Sequence, residues 1–263
     1  ADTHGRYAAL LDAVGRRSEA NDAFAQAVDR WRRLHRRDPE SREVAHGLAE
    51  TLIRAARSQR ITGDQHATGG LLIESEALLE KLLAETPDDP ELERNLASCL
   101  IWQGKVKHRL GQSQLAADIL IRAATISEQL AARKPRDLAC RHRLFNVLDD
   151  LVYVLGAAGR TDEALRRCTQ IMEEVARLER DFPDLGGFDG SVAMCTRAAG
   201  QCWEQNAHFT EAVAAYEATI RHYEAKRRRD RDRFPDDVQL ATSHLAIARI
   251  TRRIDEPQRG DQY

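Results

Sequence analysis

The feature that most constrains this chain is a repeat of 48 residues marked by proline and glycine. The prolines that share this interval are Pro39, Pro87, Pro135 and Pro183. The glycines that share it are Gly15, Gly63, Gly111 and Gly159, and the next position holds Ala207. Two independent marks with one period predict a stack of similar units, each packed on its neighbours. A further proline, Pro235, comes 52 residues after Pro183, so the last full repeat carries a small insertion.

Each period contains the pattern of two helices. Ala, Leu, Arg and Glu dominate and only 5% of residues are aromatic, a composition that favours helix. Apolar residues recur at helical spacing in both halves, with proline before the first helix and glycine between the two. We therefore predict one all-α array of about eleven helices, with a truncated first pair that suggests a segment of a longer protein. The predicted repeats are roughly 1–38, 39–86, 87–134, 135–182 and 183–234, with a closing helix at 236–254.

Charge and hydropathy exclude several classes of protein. The formal charge is −2, whereas a dedicated duplex-binding domain is usually clearly basic. The basic runs 30–38 and 226–233 could contact nucleic acid. The interleaved aspartates favour another interpretation, in which the basic side chains balance the partial negative charge of the carbonyl groups at helix C-termini. No apolar run is long enough to predict a membrane span. The five cysteines, none in a C-x-x-C pair, are predicted to be reduced and buried in a cytoplasmic protein: Cys99, Cys140, Cys168, Cys195 and Cys202.

No residue pattern indicates catalysis or metal binding. Asp149 and Asp150 are adjacent carboxylates that could do acid–base work, but no nucleophile accompanies them and a structural role is favoured. Cys140 and His142 are two residues apart and do not share a helix face. The sequence therefore predicts a protein that is not an enzyme and has no cofactor or metal.

The repeat resembles the tetratricopeptide repeat (TPR), in a long variant. A small residue recurs in the first helix (helix A) at Ala56, Gly104 and Gly200, although Val152 departs from this pattern. A bulkier residue recurs in the second helix (helix B) at Phe24, Leu72, Leu120, Cys168 and Tyr216. The ordinary repeat has about 34 residues, so each helix here is longer by about two turns. Long repeats of this kind are similar to the arrays attached to bacterial serine/threonine protein kinases.

The resemblance implies an α-α superhelix, a TPR-like solenoid of antiparallel helix pairs, whose helices A line a concave groove for a peptide or protein segment. Carried onto this sequence, the expected partner-binding residues are Glu50, Arg54, Arg57, Trp102, Lys105, Asn146, Asp149, Asp150, Tyr153, Arg197, Gln201 and Arg249. The positions of the family's carboxylate clamp hold Ile53, Arg57, Ile101 and Lys105, so that clamp is incomplete.

The chemical character of the groove stays open at this point. Arg54, Arg57 and Arg60 share one helix face, which is either a basic groove for an acidic peptide or a solvated face paired with acidic neighbours. Trp102 and Tyr153 either anchor a ligand or cover the neighbouring helix.

Three classes of function follow from this pattern. The first is a scaffold that holds a partner protein in its groove. The second is self-association, as a homodimer through terminal helices at Leu10 and Ile250, or an intramolecular regulatory role in a larger signalling protein such as a bacterial kinase. The third is an enzyme hidden in the groove, which no constellation of residues supports.

Overall fold

The computed structural model describes residues 2–59, 64–182, 189–229 and 237–260. These residues form eleven α-helices, which confirms the predicted fold class and helix number. The helices are α1 (Asp2–Ala13), α2 (Arg17–Arg37), α3 (Arg42–Ser58), α4 (Gln65–Glu85), α5 (Pro90–Arg109), α6 (Ser113–Arg133), α7 (Leu138–Ala157), α8 (Thr161–Asp181), α9 (Asp189–Gln205), α10 (Phe209–Arg229) and α11 (Asp237–Gly260). Odd-numbered helices are helix A of each pair and even-numbered helices are helix B.

Helix starts follow the 48-residue period through capping side chains. Ser41, Asp89 and Asp137 occupy equivalent positions and are the N-caps of α3, α5 and α7. The Asp137 carboxylate accepts from the backbone N–H groups of Ala139 at 2.9 Å and Cys140 at 3.2 Å. These bonds satisfy amide groups that would otherwise lack partners at a helix start.

The turn between paired helices requires a left-handed backbone conformation. Gly15, Gly111 and Gly159 have φ of 81°, 76° and 72°. Ala207 holds the same position with φ of 62°, which is costly for a residue with a Cβ atom. The turn therefore keeps its left-handed geometry in a repeat that has no glycine at this position.

Small and bulky residues spaced 16 apart pack against each other within each pair. A Cβ atom built on Gly104 would lie 2.6 Å from Cγ of Leu120, and one on Gly200 would lie 3.0 Å from Cδ1 of Tyr216. In the fourth pair the helix A residue is Val152, and its counterpart in helix B is the small Cys168. The larger residue on helix A is therefore matched by a smaller side chain on helix B.

The chain divides into two compact units. Unit 1 is Ala1–Leu130 and has a core cluster that includes Leu11, Phe24 and Leu52. Unit 2 is Ala131–Tyr263 and has a cluster of Ala193, Tyr223 and Leu240.

Two general predictions can be compared with these units. All five cysteines are buried, as predicted. Among the described residues, no helix is both long and apolar enough to cross a bilayer.

Candidate partner-binding site

In unit 1 the predicted site residues form local pairs on α3 and α5. The Arg54 guanidinium lies 2.5 Å from a carboxylate oxygen of Glu50, one turn away on the same helix. The Lys105 ammonium lies 5.0 Å from the centre of the Trp102 ring, within range of a cation–π contact. Arg57 is exposed, and Arg60 lies outside the described residues. Two of the cations proposed for a basic groove are therefore already engaged within unit 1.

In unit 2 four predicted site residues line a single pocket of about 640 Å³. They are Tyr153 of α7, Arg197 and Gln201 of α9, and Arg249 of α11. We call this cavity the arginine pocket, because Arg253 of α11 joins the other two arginines there. The remaining lining residues are Glu204, Gln205, Tyr216, Thr242, Ser243, Leu245 and Ala246.

Glu204 is the acidic residue of the arginine pocket, and its charge is compensated. Arg249 donates to the Oε1 atom of Glu204 from Nη2 at 2.6 Å and from Nε at 2.8 Å. The Tyr216 hydroxyl donates to Oε2 at 2.9 Å. Burial, followed by the hydrogen bond to Glu204, raises the pKa of Tyr216, so the phenol stays protonated and keeps donating.

Arg197 and Arg253 leave the pocket with an excess of positive charge. Arg197 donates from Nη1 to Gln201 at 3.1 Å, while its buried Nε has no hydrogen-bond partner among the described residues. The Arg253 guanidinium lies 5.2 Å from the centre of the Phe209 ring, so an aromatic face supports it. Among the described lining residues, three guanidinium groups and one carboxylate give this pocket a net positive charge.

The other predicted residues of unit 2 lie outside the arginine pocket. Asn146 is exposed, and Asp149 and Asp150 are half-buried. Burial, and next the negative charges of Asp149 and Asp150, raise the pKa of the Cys195 thiol. The two carboxylates thus lie close enough to the buried thiol for their charges to act on it. Within the described part of the chain, no cluster of three or more His, Cys, Asp or Glu could hold a metal ion.

Sequence reasoning missed Glu204 and the second role of Tyr216. Glu204 follows Gly200 by one turn, and the equivalent positions one and two repeats earlier hold Gly156 and His108. The repeat pattern therefore contains no signal for an acid there. The pattern predicts Tyr216 only as the bulky packing residue of helix B, a role that its ring fills while its hydroxyl reaches Glu204.

The predicted dimer residues differ in exposure. Leu10 is 66% exposed, as a contact residue should be, but Ile250 is 1% exposed and belongs to the core of unit 2. The prediction that Ile250 forms a terminal contact surface is therefore wrong, because its side chain is already covered within the chain. Self-association through other residues stays a prediction.

The helix pairs, turns and packing positions define a TPR-like helical solenoid. Two solved structures share this fold. One is BtubC (BKLC) from P. vanneervenii, with a TM-score of 0.58, 16% identity, and coverage of 93% of this chain and 87% of that chain. The other contains nearly identical TPR-like repeats from a candidate kinesin light chain of Podosopora anserina, with a TM-score of 0.59, 19% identity, and coverage of 86% and 96%.

At these identities the likeness concerns the fold alone. No protein-family model matches the sequence, and no curated protein matches it. Function must therefore be argued from the surface of this chain.

Proposed function

We propose that this protein is an interaction scaffold that binds an acidic segment of a partner protein, with the arginine pocket as its anchor. The observation that carries the proposal is the convergence of Arg197, Arg249 and Arg253 on one cavity, whose described lining residues include a single carboxylate. Guanidinium groups bind carboxylates through paired hydrogen bonds, and Arg is enriched at protein interfaces for this reason.

The pocket also offers apolar surface to a partner. Tyr153 is 67% exposed and Leu245 is 66% exposed, and both line the cavity. Tyrosine and arginine are among the residues enriched at interface hot spots. We therefore expect the preferred segment to combine acidic residues with a bulky apolar residue, which would lie against Tyr153 and Leu245.

Binding explains the pocket better than catalysis does. The Glu204 carboxylate is already engaged by Arg249 and by the Tyr216 hydroxyl. A general acid–base mechanism needs an ionisable group whose pKa lies near the working pH. Tyr216 has its pKa moved away from neutrality, so the Tyr216 phenol does not meet that requirement.

The test uses an array of immobilised peptides that combine Glu or Asp with Leu, Phe or Tyr, together with matched peptides in which Gln and Asn replace the acids. The strongest binder is then measured by fluorescence polarisation. We expect Arg197→Gln to weaken binding about tenfold to hundredfold, because a charge-assisted hydrogen bond contributes roughly 1.5–3 kcal/mol. The matched control is Arg166→Gln, which removes an exposed arginine of α8 that does not line the pocket.

Two results would contradict the proposal. One is equal binding of the acidic peptides and their Gln/Asn counterparts. The other is equal affinity of the parent and Arg197→Gln proteins when circular dichroism shows the same helix content in both.

Self-association is the second candidate function, supported by the exposed Leu10. A dimer seen by light scattering that Leu10→Glu converts to monomer would favour it.

A further inference from the structure

A second pocket of unit 2 lies beside the arginine pocket. It has a volume of about 380 Å³ and lies among the end of α7, the start of α8 and the second half of α9. The two pockets are contiguous, because Tyr153, Gln201 and Gln205 line both of them. We call the second cavity the neutral pocket, since its described lining residues include no charged side chain. A segment anchored in the arginine pocket can therefore reach the neutral pocket without leaving unit 2.

The floor of the neutral pocket is apolar and its rim is polar. The buried lining residues all carry small apolar side chains or a thiol: Val152, Ala164, Ala198 and Cys202. The amide side chains that line the pocket, those of Gln201, Gln205 and Asn206, belong to exposed residues. An apolar floor inside a polar rim is the arrangement of a site that buries an apolar group of a ligand.

The room in the neutral pocket arises because two lining positions carry smaller residues than in other repeats. Gly156 of α7 stands where the equivalent positions hold long polar side chains: Arg60, His108 and Glu204. Ala198 of α9 stands where the equivalent positions hold Arg54, Trp102 and Asp150. A Cβ atom built on Gly156 would meet nothing within 4 Å, so no neighbouring element fills the space that the missing side chain leaves. The pocket is therefore a property of these two repeats and not of the fold.

The neutral pocket discriminates against charged groups. A charged side chain buried there would lose its hydration, and no counter-charge is present among the described lining residues to offset that loss. The net positive charge of the adjoining arginine pocket attracts carboxylates instead. The two cavities thus separate an acidic group from an apolar one.

We propose that the neutral pocket binds one bulky apolar side chain, such as leucine or phenylalanine, from the same segment that the arginine pocket anchors. The inference rests on the proposed function and adds a second subsite to it. This subsite is separate from the exposed surface of Leu245, which lines only the arginine pocket. The occupant is therefore a partner segment in which a bulky apolar residue lies close to an acidic residue.

The first experiment combines a filled pocket with an alanine scan of the strongest acidic peptide. Gly156→Leu places a branched side chain on the wall of the neutral pocket, and Gly156 does not line the arginine pocket. We expect this variant to weaken binding of the parent peptide about tenfold to hundredfold, because it displaces a side chain whose burial stabilises the complex by that factor. When the apolar residue of the peptide is replaced by alanine, Gly156→Leu and the parent protein should bind it equally.

The chain offers a matched control for this substitution. Gly70→Leu introduces the same side chain on α4 of unit 1, where an added Cβ atom also meets nothing within 4 Å and neither pocket is lined. This control should bind the parent peptide with unchanged affinity. Ala157→Leu, a second change at an exposed lining residue, should reproduce the effect of Gly156→Leu. Circular dichroism checks that all three variants keep the parental helix content.

A second experiment uses an uncharged probe, so that it does not depend on the acidic anchor. Binding of N-acetylphenylalaninamide is followed by saturation-transfer nuclear magnetic resonance. Gly156→Leu should abolish the signal, whereas Arg197→Gln should keep it, because Arg197 lines only the arginine pocket. Probe binding that Gly156→Leu blocks, in a protein that binds no acidic peptide, would retain the apolar subsite and reject the acidic anchor.

Three results would overturn the inference. The first is equal affinity of Gly156→Leu and Gly70→Leu for a parent peptide that Arg197→Gln binds weakly, which would leave the proposed function intact. The second is an equal loss of affinity in Gly156→Leu for every alanine variant of the peptide, since no single side chain would then fill the pocket. The third is that neither the probe nor any peptide responds to Gly156→Leu.

Discussion

In each helix pair a small residue on one helix packs against a bulkier residue on the other. We predict that a pair can be repacked when the large side chain is moved from helix B to helix A. In the third pair the small residue is Gly104 of α5 and the bulky residue is the fully buried Leu120 of α6. In the fourth pair Val152 and Cys168 hold these positions with the sizes reversed. Gly104→Val together with Leu120→Cys would therefore copy the fourth pair into the third.

The contact distances set the expected magnitude. A Cβ atom on Gly104 would lie 2.6 Å from Cγ and 2.8 Å from Cδ2 of Leu120, which is closer than carbon atoms approach without displacement. Valine adds two further methyl groups, so we expect Gly104→Val to cost about 3 kcal/mol through overpacking. Leu120→Cys removes buried atoms and should cost about 2 kcal/mol. Independent effects would sum to roughly 5 kcal/mol.

The double variant should cost much less than that sum. The smaller cysteine side chain in place of Leu120 makes room for the valine, and we expect a total of about 2 kcal/mol, a coupling of roughly 3 kcal/mol. The assay is urea unfolding followed by far-ultraviolet circular dichroism under reducing conditions. The matched control is Gly156→Val in α7, where an added Cβ atom meets nothing within 4 Å, and stability should change by less than about 0.5 kcal/mol. Additive costs in the double variant, or equal costs for Gly104→Val and Gly156→Val, would refute the packing argument.

Three further predictions concern stability. Asp137→Ala should cost about 1 kcal/mol near neutral pH, since it removes an N-cap. The backbone N–H of Cys140 holds the Asp137 pKa below its unfolded value, so this contribution is present above about pH 3.9 and is lost as pH falls through the folded pKa. Urea unfolding of parent and variant at about pH 7 and pH 3 should show the difference shrinking in acid, and a constant difference would count against it. Glu174→Ala should lower the free energy of unfolding by about 3 kcal/mol in the same assay, because it removes the carboxylate that lies 3.3 Å from the buried Arg141. Arg141→Met removes the buried charge itself and should cost far less. Equal costs for the two variants would contradict this prediction. Ala207→Gly should stabilise the protein by about 1 kcal/mol, because glycine adopts the left-handed φ of this position without strain, and Gly159→Ala should destabilise it by a similar amount. Both changes are measured by thermal unfolding. A loss of stability in Ala207→Gly would disprove the assignment of strain.

The predicted partner-binding residues show how much helical periodicity alone can predict. Arg197 and Gln201 are four residues apart, so the sequence alone places them on one face of one helix. That Tyr153 and Arg249 lie in the same groove as these two residues is predicted only by the resemblance to TPR arrays. The structure brings these four side chains into one pocket, because α7, α9 and α11 present equivalent faces in unit 2.

Ion pairing on that face could not be predicted from the period. The sequence offers Arg54 as a groove cation, but Glu50 one turn earlier pairs with it. The sequence likewise offers Arg249 as a contact residue, and the structure adds that Glu204 of α9 accepts from it. The choice between a local pair and a partner depends on side-chain directions across helices, which a repeat period does not contain.

The sequence by itself determined the all-helical array, because the 48-residue period, the turn glycines and the small residue of helix A act over a few turns of chain. Those signals depend on local backbone geometry and on the volume of single side chains. Only the tertiary structure decided that three arginines share one cavity with Glu204. Such contacts join residues from different helices, and the packing angles that bring them together arise from the sum of many buried contacts.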